Sequence, residues 1–202
     1  MPSANFFAHL GMFVVREFLD AQSCARFRSE MRSSSHTPLA VIDGCTYLEK
    51  VKESVRRTKY AEVSPALMLD VEARLLAIKP RLESHFNLTL AGCEKPQFLV
   101  YNEGDFFRPH RDRDDEPGKP EYIKKRQVSV VIFLNDTEGS GSTSYCGGEL
   151  TFFGLIDDPP WKMCGLPLAT EAGLMIAFRS EIIHEVSPIT SSERFTIVSW
   201  FF

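Results

Sequence analysis

The sequence lacks several features that would place it at once in a well-marked class of protein. No apolar run approaches the roughly 18 residues that a membrane-spanning helix needs. Neither GxGxxG nor GxxxxGK[ST] occurs, so a nucleotide-binding loop has no support. HExxH and GxSxG are also absent, which argues against zinc proteases and serine hydrolases that carry those signatures.

Paired cysteines are missing as well. The five cysteines are odd in number, widely spaced and without a CxxC pair: Cys24, Cys45, Cys93, Cys146 and Cys164. This usage argues against a disulfide framework and a zinc knuckle, and favours a reducing, intracellular setting. The start, Met1-Pro2-Ser3, lacks the positive region of a signal peptide. We therefore expect a cytoplasmic protein.

Excess positive charge is absent too. The chain has 23 Lys and Arg against 27 Asp and Glu, for a net charge of −4. Nucleic-acid-binding domains are usually basic, so neither a nucleic-acid nor a membrane partner is expected. What is present is an ordinary globular composition, with 44% hydrophobic and 25% charged residues in 202. That length predicts one domain with a sizeable core.

The first half of the chain has helical patterning, over residues 18–90. Asp20 is a candidate N-cap for a first helix. Ser64 followed by Pro65 marks the start of a second, because proline is favoured at the first helical position. Pro80 is expected to break or kink that helix and to leave a short second piece beyond it.

From about Gln97 the pattern becomes one of short apolar runs between turn residues, which is typical of strands. The apolar run Leu10–Val15 predicts one earlier strand. The later runs are 97–101, 127–134, 149–153, 173–178, 182–186 and 194–202. We predict an α+β domain spanning 1–202, in which residues 1–95 give mainly helical support and 96–202 form a jelly-roll core.

Two long polar loops interrupt this second half, at residues 113–126 and 136–146. Loops of this length in a compact domain are often functional lids, although plain surface insertions are equally compatible with the sequence.

One segment carries candidate chemistry, because His110 and Asp112 lie two residues apart. In a strand they would point to one face, where imidazole and carboxylate suit Fe(II) and related divalent metals. Alone, such a pair is more often a strand-end histidine with a surface aspartate. His184, in the apolar run Ile182–Val186, would complete a facial triad, although a hydrogen-bonded core histidine is the alternative.

Arg194 follows His184 by ten residues and opens the apolar last strand. An arginine at the edge of such a run needs an anionic partner if it is buried, since burying it unpaired is costly. Its planar fork matches a carboxylate bidentately. The alternative is a surface arginine at a strand start.

The order His-x-Asp, distant His and then Arg resembles the Fe(II)- and 2-oxoglutarate-dependent oxygenases. Four blocks resemble the prolyl-4-hydroxylase-like branch, in the branch's order and within residues 97–202. They are Tyr101-Asn-x-Gly-Asp-Phe-Phe-x-Pro-His110, Ser129-Val-Val-Ile-Phe-Leu-Asn135, Gly147-Gly-Glu-Leu-Thr151 and His184-Glu-Val-Ser-Pro188.

The resemblance implies a double-stranded β-helix, of the jelly-roll or cupin-like kind, with N-terminal supporting helices. It implies that His110, Asp112 and His184 hold Fe(II) and that Arg194 pairs with the distal carboxylate of 2-oxoglutarate. Dioxygen would be the second co-substrate, and ascorbate is a candidate reductant.

The same resemblance suggests roles for further residues. Tyr101 would bond 2-oxoglutarate, and Thr196 shares the strand face of the clamp arginine. Arg126 and Trp200 are candidates for the substrate side. Phe133 stands where some prolyl hydroxylases carry a tyrosine that helps to bind the co-substrate, so its missing hydroxyl puts the details of that binding in question.

We therefore expect a dioxygenase that hydroxylates a C–H bond, with a prolyl residue in a protein or peptide as the first substrate choice, and that releases succinate and CO2. The alternatives are the same chemistry on a free amino acid or other small metabolite, and a non-catalytic metal-binding sensor of the same fold. An open groove between loops 113–126 and 136–146 would favour a peptide. The sequence does not indicate the substrate's identity, the position hydroxylated or the oligomeric state.

Overall fold

The computed structural model describes residues 4–42, 49–137, 143–161 and 164–202. The helices are α1 (Ala4–His9), α2 (Ala21–Ser33), α3 (Pro65–Phe86) and α4 (Glu121–Lys125). The strands are β1 (Phe13–Val15), β2 (His36–Pro38), β3 (Val41–Ile42), β4 (Glu49–Lys50), β5 (Arg56–Arg57), β6 (Lys59–Ala61), β7 (Gln97–Tyr101), β8 (Phe106–His110), β9 (Val128–Phe133), β10 (Cys146–Gly147), β11 (Leu150–Phe153), β12 (Leu166–Leu168), β13 (Met175–Arg179), β14 (Ile183–Val186), β15 (Ile189–Ser191) and β16 (Arg194–Phe201).

Two antiparallel sheets form the framework of the molecule. The larger has the order β1-β13-β9-β16-β7-β6-β2, and the smaller has the order β12-β11-β14-β8-β5. Apolar side chains from both sheets, such as Phe133 and Phe152, belong to one buried cluster, so the sheets pack face to face. A second cluster joins the other face of the larger sheet to α2 and α3. The predicted α+β class is confirmed.

Both predicted helix starts are confirmed. The Asp20 carboxylate accepts a hydrogen bond from the Ser23 amide at 2.7 Å. The Ser64 hydroxyl accepts one from the Leu67 amide at 3.3 Å, with Pro65 at the first helical position. Each cap satisfies an amide that the first turn would otherwise leave without a partner.

The prediction that a separate short helical piece follows Pro80 was wrong, because α3 continues through this proline to Phe86. Pro80 lies on the exposed side, whereas Ile78 and Leu82 on either side of it are buried in the core. Packing of that apolar face therefore outweighs the hydrogen bond that proline cannot donate.

The helical prediction for residues 18–90 was also wrong between α2 and α3. There the chain forms short strands, of which β6 pairs with β7 and β5 pairs with β8. Strands of two or three residues are too short to show a period of two, and the partners of β5 and β6 in β8 and β7 lie far away in sequence. Before them, α1 was not predicted, and the strand expected over Leu10–Val15 begins only at Phe13.

The strands predicted beyond residue 96 are present, with ends that differ by up to two residues. None of the helices in the described ranges combines the length and apolar character needed to cross a membrane. Four cysteines are free thiols, and Cys45 lies outside the described residues.

Candidate active site

The two histidines of the predicted triad are brought together by strand pairing. His110 ends β8 and His184 lies in β14, and the two are directly opposite in the antiparallel register. Their ring centroids are 4.2 Å apart. Sheet pairing therefore turns a long sequence separation into a contact.

Asp112 completes the cluster from just beyond the end of β8. Its Oδ1 lies 3.7 Å from His110 Nε2, and its Oδ2 lies 3.5 Å from His184 Nε2. One ligand atom from each of the three residues falls within 4.8 Å of the others. The expected facial triad is therefore assembled, although strand geometry alone does not place Asp112.

Each imidazole is oriented through its other nitrogen. His110 Nδ1 lies 2.8 Å from the Arg108 carbonyl oxygen, and His184 Nδ1 lies 2.9 Å from that of Ile182. A carbonyl oxygen can only accept a hydrogen bond, so Nδ1 carries the proton in both rings. Nε2 of each ring therefore presents a lone pair towards the centre of the cluster. Phe107 stacks on the His110 ring at 3.5 Å and helps to fix its orientation.

The electrostatics of the cluster suit a divalent cation. Burial and the neighbouring His184 hold the pKa of His110 well below its ordinary value, so the ring is neutral. Burial opposes ionisation of Asp112, but both imidazoles and a hydrogen bond from Ser129 outweigh it and lower the pKa of Asp112. Two imidazole nitrogens and one carboxylate form a donor set that fits Fe(II).

Arg194 is buried, with 1% of its surface exposed, so the alternative of a surface arginine is wrong. Its guanidinium lies 5.0 Å from the Tyr101 ring centroid and 5.3 Å from that of Phe133. Nη1 donates to the Thr196 hydroxyl at 3.5 Å, and Nε is buried without a hydrogen-bond partner. A buried cation with an orphaned donor fits an incoming carboxylate.

Close packing surrounds the stem of this arginine. Gly148 has φ +63°, and a Cβ there would lie 3.1 Å from Arg194 Cδ and 2.2 Å from the Ile189 side chain. Glycine is required at this position for both reasons.

Strand pairing in the larger sheet brings together the four residues expected around the co-substrate. Tyr101 is the register partner of Arg194, and Phe133 is the register partner of Thr196.

One cavity of about 650 Å³ is lined by the triad, by Arg194 and by all the other predicted site residues, which are Tyr101, Arg126, Thr196 and Trp200. One wall comes from the predicted loop, with lining residues between 114 and 126. Another part of the lining comes from residues 39–41 and from Lys52, Val55 and Arg56. No described residue of 136–146 lines the cavity, and residues 138–142 lie outside the described ranges. Of the two predicted loops, the described residues therefore place only 113–126 at the cavity.

Arg126 and Trp200 pack against each other on the cavity wall. The Arg126 guanidinium lies 3.7 Å from the Trp200 ring centroid and donates to both carboxylate oxygens of Glu94, at 2.6 and 2.7 Å. Arg126 is only 7% exposed, so it is not a solvated surface arginine. Glu94 was not predicted, because nothing in its local sequence marks it as the partner of a residue 32 positions away.

Arg56 was not predicted as a site residue either, because it lies in a basic stretch of the kind that usually forms a solvent-exposed surface. Its guanidinium lies 4.5 Å from the Phe107 ring centroid, and its Nε is buried without a hydrogen-bond partner. Burial lowers the pKa of Arg56, while Tyr101 and Asp112 oppose that shift. The pairing of β5 with β8 is what places it in the cavity.

The sequence profile of the 2OG-Fe(II) oxygenase superfamily matches residues 96–202, which is more than half of the chain. The chain belongs to this superfamily. A PKHD-type hydroxylase of Hyphomonas neptunium is 33% identical over 105 residues, or 52% of this chain and 41% of that protein. One of Maricaulis maris is 29% identical over 163 residues, or 79% of this chain and 65% of that protein. The chain thus spans less than two thirds of the length of these oxygenase relatives.

Solved structures of prolyl hydroxylases share the oxygenase fold. A Pseudomonas putida prolyl-4-hydroxylase superposes with a TM-score of 0.69 at 24% identity, over 99% of both chains. A Trichoplax adhaerens prolyl hydroxylase, in complex with a hypoxia inducible factor peptide fragment, gives a TM-score of 0.73 at 17% identity, over 98% of this chain and 88% of that one. The predicted double-stranded β-helix is confirmed.

Proposed function

We propose that the chain is an Fe(II)- and 2-oxoglutarate-dependent dioxygenase that hydroxylates a C–H bond and releases succinate and CO2. The observation that carries this proposal is the shared cavity, in which a His-Asp-His cluster and an unpaired buried arginine both contribute to the lining. A purely structural sandwich would not need either group, since both are costly to bury unoccupied.

His110, Asp112 and His184 would hold the iron through the two Nε2 atoms and the carboxylate. The bound metal, with 2-oxoglutarate as electron donor, supplies the dioxygen activation that protein side chains cannot. The chain's own part is to keep the His110 imidazole neutral, to keep the Asp112 carboxylate ionised and to hold all three side chains in place before the metal arrives.

Arg194 would pair with a carboxylate of 2-oxoglutarate, because its fork matches two oxygens and its burial strengthens the attraction. The hydroxyls of Tyr101 and Thr196 are the neighbouring groups that can add hydrogen bonds. Phe133 supplies only a ring at this position, so the co-substrate receives one donor fewer here than a tyrosine would provide.

A prolyl residue of a protein or peptide is the substrate that we propose. The Trp200 ring, held by Arg126 and Glu94, offers a fixed apolar surface in the cavity for a pyrrolidine ring. The peptide complex of the Trichoplax prolyl hydroxylase, which shares the fold, supports a peptide as ligand. The charged cavity residues Arg56, Asp114 and Lys119 favour a second candidate, the same reaction on a free amino acid or small metabolite.

Two finer points belong to the same proposal. Ascorbate would serve as the reductant that returns the metal to Fe(II). A cytoplasmic location would suit both the need for a reductant and the free thiols of the described cysteines.

The decisive experiment is an anaerobic titration of the metal-free protein with Fe(II) and then 2-oxoglutarate. We expect a saturable visible charge-transfer band, which is absent in His184→Ala. Mass spectrometry of proline-containing peptides, and of free proline, incubated with the aerobic enzyme would then separate the two substrate classes by a gain of one oxygen. A folded protein that gives no band would contradict the proposal and favour a non-catalytic module.

A further inference from the structure

Asp112 is the one member of the triad that pairing within its own sheet does not fix. His110 and His184 are register partners in the smaller sheet, whereas Asp112 lies beyond the end of β8. Its backbone amide instead donates to the Ser180 carbonyl at 3.0 Å, and the Arg113 amide donates to the same oxygen at 2.9 Å. Ser180 directly follows β13, so this ligand is attached to the larger sheet.

Its carboxylate is attached to the same sheet by a pair of serine hydroxyls. Ser129 Oγ donates to Asp112 Oδ2 at 2.7 Å, and Ser180 Oγ lies 2.9 Å from Ser129 Oγ. An ionised carboxylate can only accept, so the single Ser129 proton points to Asp112. The Ser180 hydroxyl must then donate to Ser129, which gives the chain a defined direction from Ser180 to Ser129 to Asp112.

Both serines are buried, since Ser129 is 1% exposed and Ser180 is 0% exposed. Ser129 is also the single polar residue in β9, whose sequence is VSVVIF and whose six residues are all buried. A strand of this kind has no folding need for a hydroxyl, since alanine would fill the position at a lower desolvation cost. The hydrogen bond that Ser129 donates to the Asp112 carboxylate therefore explains why a serine stands at this position.

We propose that Ser129 is a positioning residue for the metal, and that Ser180 orients its hydroxyl. The pair fixes the rotation of the Asp112 carboxylate before the metal binds, and it ties the ligand set of the smaller sheet to the sheet that carries Arg194. This inference rests on the proposed function, because it presumes a divalent cation at the triad. Hydrogen bonds to metal-binding side chains typically change metal affinity by about 10- to 100-fold.

Ser199 provides a matched control within the same sheet. It is 1% exposed and lies in β16, and its hydroxyl donates to the Glu94 backbone carbonyl at 2.8 Å rather than to a triad residue. Ser199→Ala therefore removes a buried hydroxyl of the same kind without touching Asp112.

The experiment measures Mn(II) affinity directly, by the electron paramagnetic resonance signal of free Mn(II), for the full chain and four variants. We expect Ser129→Ala to weaken Mn(II) binding about 10- to 100-fold. Ser180→Ala should weaken it less, because Ser129 can still donate to the carboxylate. Ser129→Thr, which keeps the hydroxyl, and Ser199→Ala should both bind as the wild type does.

Thermal unfolding of the metal-free proteins separates positioning from stability. Equal Mn(II) affinity in the wild type and Ser129→Ala would overturn the inference. It would also be overturned if Ser129→Ala and Ser199→Ala lost Mn(II) affinity to the same extent. If Ser129→Ala does not fold, wild-type affinity in Ser180→Ala overturns it. A wild-type protein that binds no Mn(II) would instead contradict the proposed function at its metal site, and the inference would fall with it.

Discussion

At the scale of single residues, Arg194 shows a conflict between stability and binding. A buried guanidinium without an acidic partner is costly, and in the described part of the chain its only polar side-chain contact is the neutral hydroxyl of Thr196. We expect Arg194→Met to raise the free energy of unfolding of the ligand-free protein, because an apolar side chain of similar length suits that pocket better.

The same substitution should remove the stabilisation that 2-oxoglutarate gives to the Mn(II)-loaded protein. That stabilisation is about 2.7 kcal/mol when the ligand is present at 100 times its Kd. Thermal unfolding with and without 2-oxoglutarate measures both effects, with Arg179→Met as the control, since Arg179 bonds the Phe86 carbonyl on the helical side of the larger sheet. A variant that keeps the full ligand-induced shift would place the co-substrate clamp elsewhere.

The residues of the site differ in how far the sequence can predict them. His110, Asp112, His184 and Arg194 follow one another in an order that resembles the oxygenase family, so the resemblance predicts them before the fold is known, and the structure brings them to one cavity. Glu94 does not belong to such a pattern, because its role is set by Arg126, which reaches it only in the folded chain. Pairwise contacts between distant residues leave no local signal.

At the scale of elements, α3 carries a defect that can be repaired. Pro80 cannot donate the hydrogen bond that a helix interior needs, which costs about 3 kcal/mol, offset by up to roughly 1 kcal/mol of lost chain freedom in the unfolded state. The residue is exposed, so its replacement disturbs no packing. We expect Pro80→Ala to raise the free energy of urea unfolding by about 2 kcal/mol.

Pro65 in the same helix is the matched control for this prediction. It stands at the first helical position, where an amide would have no partner within the helix. Pro65→Ala should therefore bring no gain in the free energy of unfolding. Equal effects of the two substitutions would show that the missing hydrogen bond is not what limits the stability of α3.

Glu83 near the end of α3 predicts a dependence of stability on pH. Its Oε1 accepts hydrogen bonds from the Leu90 amide at 2.9 Å and from Lys79 Nζ at 3.0 Å, and these lower the pKa of Glu83 below its ordinary 4.5. The unfolded chain then binds the proton more tightly than the folded one. The stabilisation is complete above pH 4.5 and is lost as the pH falls through the folded-state pKa.

Glu83→Gln should therefore be less stable than the wild type at pH 7, and the difference should shrink as the pH falls below 4.5. Urea unfolding at a series of pH values measures this, with Glu121→Gln as the control, because Glu121 lies on the short α4. If the difference in the free energy of unfolding between wild type and Glu83→Gln did not change with pH, the lowered pKa of Glu83 would be contradicted.

The elements were predictable where their signals are local. Caps such as Asp20 and Ser64, and the apolar runs beyond residue 96, fix helices and strands through neighbouring residues. The strands of residues 36–61 were not predictable, because each is only two or three residues long and two of them, β5 and β6, depend on partners in the second half of the chain. The continuity of α3 through Pro80 was likewise decided by the core beneath it.

At the scale of the whole molecule, the first 95 residues do more than support the oxygenase core. They supply β1, β2 and β6 to the larger sheet and β5 to the smaller one, and their helices bury one face of the larger sheet. They also build one wall of the cavity through residues 39–41 and 52–56. We propose that residues 1–202 form one cooperative domain, although the superfamily profile matches only 96–202.

This proposal predicts that the full chain unfolds in one calorimetric transition and that a fragment of residues 96–202 does not unfold cooperatively. Without α2 and α3 the fragment would expose Val100, Ile132 and Ile197, which are now fully buried in the cluster beneath those helices. We therefore expect the fragment to bind a hydrophobic dye and to lack near-ultraviolet circular dichroism. Co-expression with residues 1–95 should restore the transition, because it returns the missing strands and the missing apolar layer. A sharp transition of the fragment alone would instead show that the jelly roll is stable by itself, and that the N-terminal half acts only on the cavity.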